Sequence, residues 1–197
     1  MPKMMSALER IEKVARRLQE FARPQGLELQ ECDIPGAVEA TLQLFGKTLA
    51  DRRVVVEKDL AHVPPAWGDP YSVEEIIFNL CTNALDAMPQ GGKLLLRTLT
   101  VERPDICPDG CIAIEVKDSG QGIPPDRMEK IFEPFFTTKS QSGGTGLGLS
   151  LCRMLLSEMG GQIEVESAAN KGATFRILLA KAGGRPGIRT DETHSAQ

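Results

Sequence analysis

The chain has 197 residues, 41% of them apolar and 25% charged. That is the size and composition of one folded domain, large enough for a core without covalent staples, and it excludes global disorder. Its 23 basic and 27 acidic residues leave a net charge of −4, so no polycationic surface points to nucleic acid as a partner.

Residues 3–23 read as a helix, because Met4, Leu8, Ile11, Val14 or Ala15, Leu18 and Phe21 recur every three or four positions among Arg and Glu. Pro24-Gln25-Gly26 ends it. The apolar stripe is narrow, as in a seam that packs on another helix, although folding back onto its own domain would also cover it. A second amphipathic segment carries Val38, Leu42, Leu44, Phe45 and Leu49, and Val54-Val55-Val56 reads as a short strand. A long helix is expected over 72–88, with Ser72 as N-cap and Glu75 completing a capping box. Gly91-Gly92 stops it.

Residues 93–101 and 111–117 read as a hairpin joined through Pro108-Asp109-Gly110. Residues 119–149 are glycine-rich and aperiodic, a long functional-looking loop. A helix over 150–159 and a second hairpin, 162–167 with 173–179, complete the folded part. The polar tail from 182 to 197 is expected to be disordered. Helices and antiparallel hairpins in this order imply an α+β layered fold, helices on one face of a mixed, mostly antiparallel sheet.

No apolar run approaches the roughly 20 residues that span a bilayer, and the start lacks a secretory apolar core. A cytoplasmic setting is expected. The five cysteines, at 32, 81, 107, 111 and 152, are odd in number and scattered, so reduced thiols are expected. Cys107 and Cys111 flank a turn sequence and can sit close together. His62 and His194 show no ligand spacing, which disfavours a zinc site.

Four segments carry chemistry. In the helix at 72–88, Ile77, Leu80, Cys81, Ala84, Leu85 and Met88 form one apolar stripe, and Asn79, Asn83 and Asp86 point the opposite way. Most polar helix faces are merely solvated. Two aligned mid-helix amides, however, are poor helix formers and suit a hard cation such as Mg²⁺ with phosphate. Asp118-Ser119-Gly120-Gln121-Gly122-Ile123 ends a strand in a carboxylate that can accept from an exocyclic amine, though a tight Asx turn has the same composition. Gly143-Gly144-Thr145-Gly146-Leu147-Gly148-Leu149-Ser150 opens directly into a helix, a site for phosphate at the free N–H groups. It is neither a P-loop nor a dinucleotide fingerprint. Between them, residues 131–139 place Phe132, Phe135 and Phe136 in a mobile setting, reading as a lid anchored by Phe132 and Phe136, with Lys139 in reach of phosphate.

These four pieces, in this order and spacing, resemble the ATP-binding catalytic domain of two-component sensor histidine kinases. That family belongs to the wider gyrase, chaperone and mismatch-repair ATPase superfamily. The resemblance covers roughly residues 30–180, is specific because the four boxes occur together, and ends with a turn and strand at Asn170-Lys171-Gly172-Ala173-Thr174. It implies a two-layer α/β sandwich of the Bergerat-type ATP-binding fold, preceded by one helix. It also implies ATP and Mg²⁺ as cofactors, with Asn83 the metal ligand assisted by Asn79, and Asp118 on the adenine amine, helped through water by Thr174. The remaining implied nucleotide contacts are Asp86, Gly120, Gly122, Ile123, Lys139, Gly144, Thr145, Gly146, Leu147, Gly148 and Leu149. The Asn83-Ala-Leu-Asp-Ala87 version looks most like nitrogen-regulation-type kinases.

Hydrolysing members of the superfamily place a glutamate four residues before the metal asparagine as general base. Here that position is Asn79, an amide that cannot take a proton, which favours kinase over ATPase. Residues 1–24 resemble the second helix of the dimerisation and phosphoacceptor hairpin. Neither histidine has the helical acidic neighbour of an acceptor, so the acceptor helix is expected to lie outside this chain. The implied partners are that helix, from the same or a partner subunit, and a response-regulator receiver domain. The implied setting is a homodimer, and the resemblance allows it to be the cytoplasmic part of a larger membrane-associated sensor. A nucleotide-gated regulatory module without transfer, or an anti-sigma-factor-type serine kinase, are the alternatives.

Overall fold

The computed structural model describes residues 26–138 and 144–183. The helix expected over 3–23, His194, Lys139, Gly143 and the tail from 184 lie outside the described residues. Strand β1 (Gln30–Cys32) leads into helix α1 (Ile34–Leu44), which Asp33 caps by accepting the Gly36 N–H at 3.2 Å. A short helix α2 (Gly46–Asp51) follows, so the second amphipathic segment is two helices broken at Phe45. The Phe45 ring stacks on Phe78 at 4.9 Å.

Strand β2 (Val54–Leu60) outruns the three valines that announced it, and strand β3 (Ala66–Gly68) pairs antiparallel with β1. Both strands of that small pair are three residues long, too short to show alternation. Helix α3 (Pro70–Ala87) begins two residues before the expected Ser72. Its cap is Asp69, not Ser72: Asp69 Oδ1 accepts the Ser72 N–H at 2.8 Å, and Oδ2 accepts the Glu28 N–H at 3.1 Å. Pro70, which has no N–H to satisfy, fits the first turn.

Strands β4 (Gly92–Arg103) and β5 (Cys107–Asp118) form the first hairpin. The chain reverses at residues 104–106, where the Ile106 N–H reaches the Arg103 carbonyl at 2.9 Å. Pro108-Asp109-Gly110 is therefore not the turn. It is a bulge inside β5, between the pairs Arg103–Cys107 and Val101–Cys111, and Gly110 supplies the positive φ of 92°. Two 3₁₀ turns, Pro125–Arg127 and Lys130–Phe132, interrupt the long loop. Helix α4 (Gly148–Glu158) and the hairpin of β6 (Gln162–Ser167) with β7 (Ala173–Ala180) follow.

The main sheet runs β2-β4-β5-β7-β6, with β2–β4 parallel and every other pair antiparallel. Its inner face, Leu94, Leu96, Ile112, Ile114 and Ile177, packs beneath Ile34, Ile76, Ile77, Leu80 and Leu156 of the helix layer, all buried. Each such side chain contributes about 1.5–3 kcal/mol. That sum dwarfs the roughly 0.5 kcal/mol by which each asparagine weakens α3, so function can place amides there.

The outer face carries charge. One rung crosses all five strands as Asp59, Arg97, Glu115, Arg176 and Glu164. Arg97 meets Asp59 at 2.7 Å, Arg176 meets Glu115 at 2.7 Å, and Arg103 meets Glu164 at 2.6 Å. Opposite charges on directly facing strands favour this register over a slipped one.

Two stability predictions follow from the layers. Asp69→Ala strands two N–H groups in a buried corner, and denaturant melts should show a loss of about 2 kcal/mol. Burial pushes the Cys32 and Cys81 thiols up to about 11 and about 12 from an ordinary 9.0. Below that ordinary value both states hold the proton and the contribution is complete. As pH rises past it only the unfolded thiols ionise, so the melting temperature should fall progressively between pH 9 and 12. The double variant Cys32→Ser/Cys81→Ser should show a shallower alkaline decline.

Candidate functional site

A cleft of about 1180 Å³ opens between α3, the end of β5, the phenylalanine segment and the start of α4. From α3 come Asn79, Thr82, Asn83 and Asp86, because residues three and four apart share one helix face. Asn79 is not solvated as a simple polar face would be; it is 6% exposed. Its Nδ2 donates to the Glu75 carbonyl at 3.0 Å. Its Oδ1 faces Gly148, where a Cβ would sit 3.1 Å away. Asn83, one turn on, is half-buried in the wall. The Thr82 hydroxyl is buried without a hydrogen-bond partner among the described residues. Asp86 pairs with Arg52 at 3.1 Å, both side chains well exposed, an ion pair that contributes little stability and fixes orientation at the rim.

Asp118 closes one end. It is 4% exposed, and Oδ1 accepts the Gly120 N–H at 2.7 Å, the Asx geometry of a strand running into a turn. The loop then threads between two backbones. Gln121 N–H reaches the Ala87 carbonyl at 3.3 Å, Gly172 N–H reaches the Gly120 carbonyl at 2.9 Å, and Asn170 N–H reaches the Gln121 carbonyl at 2.6 Å. Gly122, at φ 66°, lies where a Cβ would run into the Ala168 carbonyl. Ser167 Oγ accepts from Ile123 N at 2.8 Å and donates to the Gly172 carbonyl at 2.6 Å.

The opposite wall is the phenylalanine segment against the glycine-rich loop. Phe135, itself at φ 67°, donates its N–H to the Gly146 carbonyl at 2.9 Å. Gly146, at φ 70°, has no room for a side chain against the Phe135 backbone. Phe132 packs on the core with the Arg153 guanidinium 5.7 Å above its ring, while Phe136 lines the cleft.

Of the residues expected at the site, Asn79, Asn83, Asp86, Asp118, Gly122, Ile123, Gly144, Thr145, Gly146, Gly148, Leu149 and Phe136 line one cavity. Four others do not. Gly120 backs onto Ala87, Leu147 is buried at the N-cap of α4, and Phe132 sits beneath the segment. Thr174 is on the outer sheet face, since Ala173 and Phe175 on either side of it line the cleft. Lys139 lies outside the described residues.

The cleft also holds residues not named among the expected contacts: Thr82, Pro124, Thr137, Thr138 and Asn170 within the marked segments, and Arg52 and Arg127 outside them. Phe175 was readable from the Phe175, Ile177, Leu179 alternation; Arg52 and Arg127 carry no local signal. Among the described residues, no group of three or more His, Cys, Asp or Glu side chains could hold a metal, and no helix is long and apolar enough to cross a membrane.

Residues 68–183 match the family described as histidine kinase-, DNA gyrase B-, and HSP90-like ATPases. Sensor kinase CckA of Brucella abortus (strain 2308) is 37% identical over 177 residues, covering 85% of this chain and 19% of that protein. Sporulation kinase E of Bacillus subtilis (strain 168) is 30% identical over 188 residues, covering 95% of this chain and 24% of that protein. The chain thus spans about a fifth to a quarter of the length of these relatives. The nucleotide-free catalytic domain of histidine kinase ThkA superposes with a TM-score of 0.68 at 29% identity, over 79% of this chain and 97% of that one.

Gly122→Ala tests the close approach of backbones. It should cost about 1–3 kcal/mol, and amide NMR shifts should move chiefly at residues 118–123 and 167–172. Uniform shifts across the sheet would contradict a local clamp.

Proposed function

Because the chain belongs to the family of histidine kinase-, DNA gyrase B- and HSP90-like ATPases, we propose that its cleft binds Mg·ATP and presents the γ-phosphate to a histidine side chain of a two-component sensor kinase. The observation that supports this reading is the convergence of Asn79 and Asn83, Asp118, and the glycines at 144–148 on a single cavity. Asp118, held by Gly120, accepts the exocyclic amine of adenine. The backbone N–H groups of 144–148, at the start of α4, receive the phosphates.

The residues present fit a magnesium ion. Amide oxygens are hard donors, Asn83 lies in the wall, and Asn79 spends its NH₂ on Glu75, which leaves its oxygen aimed at the phosphate loop. Asn83, with Asn79 assisting, would hold it, and the ion supplies charge neutralisation on the phosphate oxygens. Everything else is positioning by this chain: Phe136 and the 144–148 loop exclude water, and Arg52 and Arg127 add positive charge at the rim. No carboxylate stands at the Asn79 position to activate water, which supports transfer over hydrolysis.

In this reading residues 25–181 are the nucleotide-binding unit, and residues 1–24 supply a helix of a dimerisation hairpin. The nucleophile is a histidine on an acceptor helix of the same or a partner subunit in a homodimer. The phosphoryl group then passes to a response-regulator receiver domain, on the cytoplasmic side of a larger sensor. The Asn83-Ala-Leu-Asp-Ala87 sequence supports a nitrogen-regulation-type subgroup.

Calorimetry with ATP, with and without Mg²⁺, tests the site: Asn83→Ala should abolish the Mg²⁺-dependent part of the affinity while the melting curve holds. Asp118→Asn keeps a hydrogen bond to Gly120 and should weaken ATP binding about 10- to 100-fold. Labelled ATP with a separately supplied histidine-bearing hairpin tests the reaction. Acid-labile phosphohistidine is expected; tight binding without transfer would instead make this a regulatory nucleotide module.

A further inference from the structure

On the outer face of the sheet, the bulge in β5 does something that the cleft does not use. Three residues, Pro108, Asp109 and Gly110, loop out of the ladder, so Cys107 and Cys111 become neighbours opposite Arg103 and Val101. Both side chains project from the same face of the sheet, and the Cys111 thiol donates to the Arg103 carbonyl at 4.0 Å. Both are walled off, at 1% and 0% exposure, by a small apolar cluster with Ala113, Leu178 and Ala180, distinct from the main core. Trp67 and Leu99 pack against it.

We propose that Cys107 and Cys111 are a reversible dithiol–disulfide site, oxidised by a small peroxide. The pair has a polarity. Burial pushes the Cys111 thiol up, and the Cys107 side chain and the Arg103 guanidinium partly offset this by favouring its thiolate. Burial opposes ionisation at both sulfurs and pushes Cys107 up to about 12, so Cys107 is the thiol that resolves and Cys111 the one that reacts first. The Cys111 thiolate attacks one peroxide oxygen, the O–O bond breaks, and a sulfenic acid and water result once the leaving hydroxide is protonated. The Cys107 sulfur then attacks Cys111 Sγ, loses its proton, and expels the sulfenic oxygen as water. Two thiols and one hydrogen peroxide give one disulfide and two waters, with two electrons passing from sulfur to oxygen.

Access comes by opening the bulge, whose tip at Pro108 and Asp109 is exposed. The bulge is pinned to the end of β7 by the Lys181 N–H on the Gly110 carbonyl at 3.3 Å. Oxidation therefore clamps the point at which the chain leaves the sheet. The other sulfurs sit elsewhere: Cys32 donates to the Gly68 carbonyl and Cys152 to the Ile76 carbonyl, with Cys81 in the helix layer.

The full chain is treated with hydrogen peroxide, unfolded in N-ethylmaleimide and digested. The peptide holding both cysteines should be unalkylated and two hydrogens lighter, while Cys32, Cys81 and Cys152 are alkylated in full. Dithiothreitol should restore alkylation. Cys107→Ser should leave a Cys111 sulfenic acid trapped by dimedone, and Cys111→Ser should leave none at Cys107. Hydrogen exchange at the Lys181 amide should slow in the oxidised chain. Alkylation of Cys107 and Cys111 to the same extent as the other three after peroxide, or oxidation only as links between chains, overturns the proposal. The wild-type mass measurement decides this even where a variant fails to fold.

Discussion

The cleft depends on three backbones packed against one another with no side chains between them. The strand leaving Asp118 crosses the C-terminal end of α3 at Ala87 on one side and the β6–β7 turn at 168–172 on the other. A Cβ at Gly120 would sit 2.5 Å from the Ala87 carbonyl, and none fits at Gly122 or Gly172. This contact sets where Asp118 ends and where the helix bearing the two asparagines stops. Moving any of the three would move the carboxylate and the amides relative to each other.

The two long walls of the cleft are held by different contacts. The Asp118 side is tied by several backbone bonds and by the Ser167 hydroxyl bridging Ile123 and Gly172. The facing wall is joined across its span by the bond from Phe135 to Gly146, with Phe132 anchored on the core below. Helix α3 serves both layers at once. Its apolar stripe anchors the fold strongly enough that its other face can carry amides, which alone would weaken a helix.

Most of the fold was legible because it rests on long periodic segments. The stripe from Ile77 to Met88 and the alternation in 162–167 and 173–179 placed α3 and the second hairpin within a residue or two. Misreadings came where two signals competed. Ser72-x-x-Glu75 looked like a capping box, but a buried aspartate followed by proline made the better start. Pro-Asp-Gly looked like a hairpin turn and proved to be a bulge, since the tighter 104–106 reversal lets Val101 face Cys111. The site was legible where residue type carried the chemistry, as with the asparagines, Asp118 and the glycines. It was not legible for Arg52 and Arg127, which reach the cleft only through tertiary folding, nor for Thr174, which strand parity turns to the outer face.

The sheet separates the two kinds of chemistry that the chain carries. Its inner face and one end build the nucleotide cleft. Its outer face holds the Asp59–Arg97–Glu115–Arg176–Glu164 rung and the Cys107–Cys111 pair. Side chains alternate strictly along each strand, so a residue serving one face is excluded from the other. The two faces meet only through backbone: Cys111 precedes Ile112 of the core, and the Lys117 that leads to Asp118 pairs with Thr174 beside Phe175. In the proposed reading the Asp118 end recognises the base, and the γ-phosphate at the other end of the cleft is handed to another protein. A ligand hydrolysed in place would be better served by a carboxylate where Asn79 stands, since an amide cannot take a proton from water.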